Sequence, residues 1–208
     1  MMPKNKIIFF DIGGVLVNVD SAKSIDRVAK KLGVGKECIT EAMTQDFLDQ
    51  YETGRITTDE FYSNFLEDCR CNGAMDLESF KKYWMDVFTP KQTMIDLLKE
   101  IAQHNDVWLL SNTNEFHYQL LQQQFDFMEL IKGAIYSYHV GFMKPDPVIY
   151  HIALTESHTP SGDAIFIDDL MPNVLAAQKE GIDAIHYTSD IKARLDLSTR
   201  LTYLEKRK

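Results

Sequence analysis

The sequence is short of cysteine, of positive charge and of long apolar runs, and each shortage closes off a class of function. Cys38, Cys69 and Cys71 make an odd total of 3 in a chain of 208 residues, which argues against a disulfide framework and fits a reducing compartment. Cys69-Arg70-Cys71 has no second cysteine pair and no nearby histidine; zinc takes about four ligands, so these read as ordinary thiols. Against 31 Asp and Glu there are 22 Lys and Arg, a formal charge of −9. A chain this acidic has no general grip on a polyanion, and nucleic acid is not an expected partner. A small anion stays open, because one local cation and a metal suffice to hold it. No stretch approaches the roughly 18 apolar residues of a membrane span, and the run at 7–10 is cut by Asp11, too early for a signal-peptide core. The expected location is cytoplasmic, with no membrane partner.

What is present is ordinary for a globular protein: 45% hydrophobic and 25% charged residues, far from disordered, collagenous or coiled-coil compositions. At about 150 residues per domain the length suggests one compact domain, or one domain carrying an insert. Short apolar runs at 6–11, 106–111, 133–138, 164–168 and 183–187 read as buried strands. From 93 onward they alternate with helical patterns at 93–103, 115–130, 147–156, 171–180 and 190–197. That alternation implies right-handed crossovers and a Rossmann-like open parallel α/β sheet with helices on both faces. Residues 20–88 carry no convincing strand and read as helices, with Thr57-Thr58-Asp59-Glu60 spaced as a capping box ahead of Phe61, Phe65 and Leu66. The expected organisation is a core formed by 1–18 and 90–208, with a small helical insert at 19–89. Phe61, Phe65, Tyr83 and Trp84 read as the insert's own core.

In an open parallel sheet, ligands bind beyond the carboxyl ends of the strands. The first strand ends in Asp11, followed by Ile12-Gly13-Gly14-Val15; the second ends in Ser111-Asn112; another ends in Asp168-Asp169. Carboxylates converging at one edge repel one another unless a cation or hydrogen bonds compensate. A hard, oxygen-preferring ion such as Mg²⁺ suits that donor set. Each feature also has a plainer reading: Asp11 as a turn former, Asp168-Asp169 as a helix start, Ser111-Asn112 as a loop. In Gly141-Phe142-Met143-Lys144-Pro145-Asp146-Pro147, an N-cap at Asp146 and Pro147 at the first helical position account for everything but the lysine.

The order Asp11-x-Gly13-Gly14-Val15, Ser111-Asn112, Lys144-Pro145, then Asp168-Asp169 with Asn173 and Gly181 downstream resembles the motifs of the haloacid dehalogenase-like hydrolases across essentially the whole chain. The resemblance implies Asp11 as nucleophile and Ser111, Asn112 and Lys144 as phosphate-binding residues, Lys144 also assisting catalysis. It implies Mg²⁺ held by Asp11, the Gly13 carbonyl and Asp168, with Asp169 in support. A small phosphorylated metabolite is the implied substrate, and some similar members with this Gly variant act on sugar phosphates such as glucose 1-phosphate. The insert matches the family's helical cap. Tyr51-Glu52-Thr53-Gly54-Arg55 is the polar segment expected over the site, with Arg55 a second anion contact or, equally, part of an exposed interhelical turn.

One position departs from the family's phosphatases. Two residues after the nucleophile they carry a second Asp as general acid and base, a function worth about 10²–10⁴-fold; here that residue is Gly13. Substrates with acidic leaving groups should then lose least, and a flat dependence would mean that another residue donates the proton. Three readings stay open on the sequence: a Mg²⁺-dependent phosphatase working through an aspartyl phosphate, a binding or regulatory protein on an impaired hydrolase scaffold, and a 2-haloacid dehalogenase, which would gain nothing from Asp168-Asp169. Oligomeric state and natural substrate are not readable.

Overall fold

The computed structural model describes residues 6–71, 73–84 and 87–204. β1 (Ile7–Phe10) leads through the loop after Asp11 into β2 (Val17–Val19). Helices follow: α1 (Ser21–Leu32), α2 (Lys36–Ala42), α3 (Gln45–Glu52), α4 (Thr58–Asp68) and α5 (Leu77–Trp84), after which the chain returns in β3 (Phe88–Pro90). The remainder alternates: α6 (Gln92–Ile101), β4 (Val107–Ser111), α7 (Glu115–Gln124), β5 (Gly133–Tyr136) and the short α8 (Ser137–Val140). Then come α9 (Pro147–Glu156), β6 (Ala164–Asp168), α10 (Met171–Lys179), β7 (Asp183–His186) and α11 (Asp190–Ser198).

The strands of the main sheet run parallel in the order β5-β4-β1-β6-β7. β1 is buried along its whole length because both faces are covered, which is why its sequence is an unbroken apolar run rather than an alternation. Side chains still alternate between two cores. Ile8 and Phe10 join Ile165, Ile167 and the apolar face of α6 on one side; Ile7 and Phe9 join Phe166, Tyr150 and Val174 on the other. The strand order reverses at β1, so a crevice opens beyond its carboxyl end, between the loops after β4 and β6.

Helices α1 to α5 bury a separate aromatic cluster. Phe61 stacks between Phe47 and Tyr51 at 4.7 and 4.3 Å, and Phe65 meets Phe80 at 5.3 Å. Phe116 and Leu120 of α7 belong to the same cluster, so the insert packs on the helix that follows the second strand of the core. The capping box is formed: Thr57 Oγ1 accepts from the Glu60 N–H and the Glu60 carboxylate accepts from the Thr57 N–H.

Two sequence expectations need correction. The insert was expected to carry no strand to 88, yet β3 begins at Phe88 and pairs antiparallel with β2, Val17 opposite Pro90 and Val19 opposite Phe88. This ribbon joins the two chain crossings between core and insert. The helix expected at 115–130 stops at Gln124; Phe125 is extended and a 3₁₀ turn covers Asp126–Leu130. The break carries Phe127 into the core beside the sheet, fully buried. No helix among the described residues is long and apolar enough to cross a membrane.

Candidate active site

Asp11 leaves β1 at the sheet edge with its N–H donating to Ile167 O at 2.9 Å. Its Oδ1 accepts from the Ile12 N–H at 2.7 Å and lies 2.9 Å from Lys144 Nζ. The same Nζ donates to Asp168 Oδ2 at 2.6 Å and to Leu110 O at 2.9 Å. An ammonium has three protons, and here three acceptors surround it. Lys144 is brought this deep by the loop after α8. Asn112 clamps that loop from both sides, its Nδ2 donating to Lys144 O and its Oδ1 accepting from the Lys144 N–H, each at 2.8 Å. Burial acts to lower the Lys144 pKa, but Asp11 and Asp168 outweigh it and raise it, so the side chain is a permanent cation. Asp11 is pushed up to about 6 by burial and by the Asp168 charge, with Lys144 opposing.

Asp168 has no exposed surface. Its Oδ1 accepts from the Leu170 N–H at 2.8 Å, and Asn173 Nδ2 reaches its two oxygens at 3.0 and 3.1 Å. Asp169 stands nearer solvent, and its carboxylate crosses to Gly14: a Cβ at Gly14 would lie 2.1 Å from Asp169 Oδ2, at a backbone φ of +75°. Only glycine admits both. Asp11, Asp168 and Asp169 each offer an oxygen within 4.8 Å of the others. Gly13 lines the same cleft and brings a carbonyl that needs no side chain. Three carboxylates and a carbonyl make an all-oxygen set that suits Mg²⁺, a hard ion bound through few protein ligands. The cleft has a volume near 470 Å³, and Asn18, Val19, Asn112 and Leu170 are among its lining residues.

Residues 5–181 match the family model of the haloacid dehalogenase-like hydrolases. The chain is a haloacid dehalogenase-like hydrolase. It is 27% identical over 195 residues to a sesquiterpene phosphatase of Aspergillus oryzae, an alignment covering 92% of this chain and 94% of the relative. To a D-ribitol-5-phosphate phosphatase of Bacteroides thetaiotaomicron it is 26% identical over 212 residues, 94% of this chain and 98% of that one. A HAD family enzyme from the same bacterium, solved with magnesium and inorganic phosphate, superposes with a TM-score of 0.79 at 26% identity, covering 89% of this chain and 95% of its own.

In this hydrolase most residues singled out from the sequence converge. Asp11, Gly13, Asn112, Lys144 and Asp169 line one cleft, and Asp168 lies directly behind it. Ser111 ends β4, buried, with its Oγ 3.4 Å from Asn112 O, a contact too long to fix it. Arg55 is exposed on the turn between α3 and α4 and is not among the residues lining the cleft. Two positioning residues were given no role from the sequence. Lys91, just past β3, donates to Gly14 O and lies 3.3 Å from the Tyr187 hydroxyl, tying the loop after β1 to the end of β7. Asn173 was noticed only as a downstream residue of the motif, and its amide turns out to hold both Asp168 oxygens.

Proposed function

We propose that this hydrolase is a Mg²⁺-dependent phosphatase acting on a small phosphate ester, with Asp11 as nucleophile. The observation that carries the reading is Lys144 Nζ, buried between Asp11 and Asp168 at 2.9 and 2.6 Å, at the floor of a cleft edged by Asp169. Asp11, Asp168, Asp169 and the Gly13 carbonyl would hold Mg²⁺. When bound, the ion supplies positive charge to the phosphoryl oxygens and to the carboxylates.

The chain's own groups divide the remaining work. The Ile12 N–H fixes the orientation of the Asp11 carboxylate, and Lys144 holds it as well until a substrate arrives. Because the three Nζ protons already have acceptors, a phosphoryl oxygen is recognised by displacing one of them; the Asp11 contact is the one that faces the cleft. Asp11 attacks phosphorus, the ester oxygen leaves, and water then attacks the acyl phosphate on Asp11 to release phosphate and restore the carboxylate. The cleft lip mixes the Asn18 amide with Val19 and Leu170, 50% and 55% exposed. An alcohol with both polar and apolar surface fits it, and the two relatives named for a sugar-alcohol phosphate and a sesquiterpene bracket that range.

The test is hydrolysis of a generic aryl phosphate across a Mg²⁺ titration, followed by a panel of sugar, alditol and isoprenyl phosphates. Asp11→Asn is expected to abolish turnover, while Asp168→Asn raises the Mg²⁺ concentration needed for half-activity. Unchanged turnover in Asp11→Asn, or turnover indifferent to Mg²⁺, removes the proposal. A dehalogenase or a non-catalytic scaffold would show no metal-dependent phosphate release at all.

A further inference from the structure

The cleft has a charged floor and an apolar lip. A Cβ added at Gly13 would meet Val19 Cγ2 at 3.4 Å, so a valine methyl stands in van der Waals contact over the bare backbone two residues from Asp11. Leu170 lines the same cleft from the loop after β6, where its N–H is held by Asp168 Oδ1. The apolar surface continues past Leu170: Met171 opens α10 and Leu175 follows it one turn on, both exposed and on one face of the helix. Among the described residues 8 large apolar side chains are exposed, and Val19, Leu170, Met171 and Leu175 are half of them. Apolar side chains scattered singly on a surface need no account, but a strip that begins inside a cleft marks a binding surface.

The polar side chains of the cleft are already committed. Asn112 uses both ends of its amide on the main chain of Lys144. Asn173 holds Asp168, and Asp11, Asp169 and Lys144 belong to the metal and the phosphoryl group. Among the described lining residues that leaves the exposed Asn18 as the one side chain with an amide to offer an alcohol. Arg55 lies outside the cleft. A polyol carries a hydroxyl on nearly every carbon, and each one withdrawn from water needs a partner. A single amide cannot serve them all. An alkyl or prenyl chain asks for no partner, and it gains by covering Val19 and Leu170.

We propose that the substrate is the monophosphate of an apolar alcohol. Its phosphoryl group sits at Asp11 and Lys144, its first carbons pass Val19 and Leu170, and the rest of the chain lies along Met171 and Leu175. The proposal rests on the reading of this site as a phosphatase and narrows its alcohol to the apolar end of the range. Gly13 acquires a second meaning here. A carboxylate at that position would put charge against the Val19 methyl, whereas glycine leaves the wall beside the reacting group apolar. The specificity-determining side chains are therefore Val19, which the β2–β3 ribbon carries to the cleft, and Leu170 at the start of α10.

The experiment measures dissociation constants by calorimetry, with Mg²⁺, for n-alkylphosphonates from methyl to octyl, which keep a phosphoryl head and cannot be hydrolysed. Each methylene from ethyl to hexyl is expected to tighten binding about two- to threefold, short of the roughly fourfold of complete burial because the lip is open. Inorganic phosphate should compete with every member of the series. Leu170→Ser and Val19→Ser are each expected to lower the ratio of octyl to methyl affinity about three- to tenfold, while Ile191→Ser, at an exposed apolar residue of α11 outside the cleft, keeps the wild-type ratio. In hydrolysis, propyl phosphate should exceed glycerol 3-phosphate in kcat/KM about fivefold, although glycerol is the more acidic leaving group. A flat series in the wild type, a slope that Leu170→Ser and Val19→Ser leave unchanged, or a preference for glycerol 3-phosphate overturns the proposal. An aryl phosphate separates the two readings: if it is not hydrolysed with Mg²⁺, the phosphatase falls and its substrate with it, and if it is hydrolysed while the phosphonate series is flat, the apolar substrate alone is removed.

Discussion

Removing Lys144 would leave Asp11 and Asp168 facing each other at a nearly closed site, the first 7% exposed and the second not at all. Breaking a buried pair by deleting one partner costs about 3–5 kcal/mol. Lys144→Met is therefore expected to lower the melting temperature of metal-free protein strongly at pH 8, and less at pH 5, where Asp11 takes up a proton. Saturating Mg²⁺ should restore part of the loss by replacing the missing positive charge, while kcat/KM stays at least about 100-fold down because the phosphoryl oxygens lack their fixed cation. Melting curves at both pH values, with and without Mg²⁺, check this; an equal loss in all four conditions would mean the lysine only fills space. Gly14→Ala tests the other side of the site. Its methyl would collide with Asp169 at 2.1 Å and Asp169 must swing away, so the Mg²⁺ concentration for half-activity should rise several-fold with little change in kcat at saturation. At this scale Asp11, Lys144 and Asp168 were legible because strand ends and family motifs mark them. The Asn112 clamp, the Asn173 bonds and the half-burial of Glu52 were not, because each depends on where a loop or the cap comes to rest, which no local pattern encodes.

The elements that the sequence reveals best are those stabilised by their own residues. Buried strands with both faces covered announce themselves as apolar runs, and Pro147–Glu156 has its N-cap at Asp146 and its proline at the first position, so structure and sequence agree on both ends. The β2–β3 ribbon was invisible because Val17–Val19 and Phe88–Pro90 are each 3 residues long and become strands only by meeting across the insert. The end of α7 was missed because no glycine or proline marks Phe125; the gain that decides it is burial of Phe127 beside α6, a tertiary effect. The capping box gives an element-scale prediction. Thr57→Ala removes the acceptor for the Glu60 N–H and should cost about 1 kcal/mol. Because α4 belongs to the aromatic cluster of the insert rather than to the sheet cores, hydrogen exchange should quicken in α4 and its neighbours while amides of β1 and β6 keep their protection. Uniform quickening throughout would show that insert and sheet open together.

For the molecule as a whole, the cleft brings carboxylates together in a chain that already carries −9, so its stability must respond to pH and to Mg²⁺. The contributions differ in sign. Glu52, raised to about 7 from an ordinary 4.5, binds more protons folded than unfolded between those values, so its contribution to stability is lost as pH rises through 7. Asp11, raised to about 6 from 3.8, acts in the same direction at lower pH. His117, lowered to about 4 from 6.5, binds fewer protons folded than unfolded and so adds stability as pH rises over that interval. Asp11 and His117 largely offset each other below pH 6.5, so among these three groups the fall in stability that remains is chiefly that of Glu52. Subtracting the profile of Glu52→Gln isolates one group, since the amide cannot titrate and the remaining terms largely cancel. The variant's melting temperature, measured without Mg²⁺, is expected to sit close to the wild type's at pH 5 and to rise above it by pH 8, as the wild-type carboxyl is forced to ionise between Asp49 and Asp11. Saturating Mg²⁺ should narrow the gap at pH 8 only in part, because the ion cancels the repulsion from Asp11 but not the burial, which is the larger cause. A gap that is constant across this range would place Glu52 in solvent contact, and one that closes completely with Mg²⁺ would make Asp11 rather than burial the cause of its raised pKa.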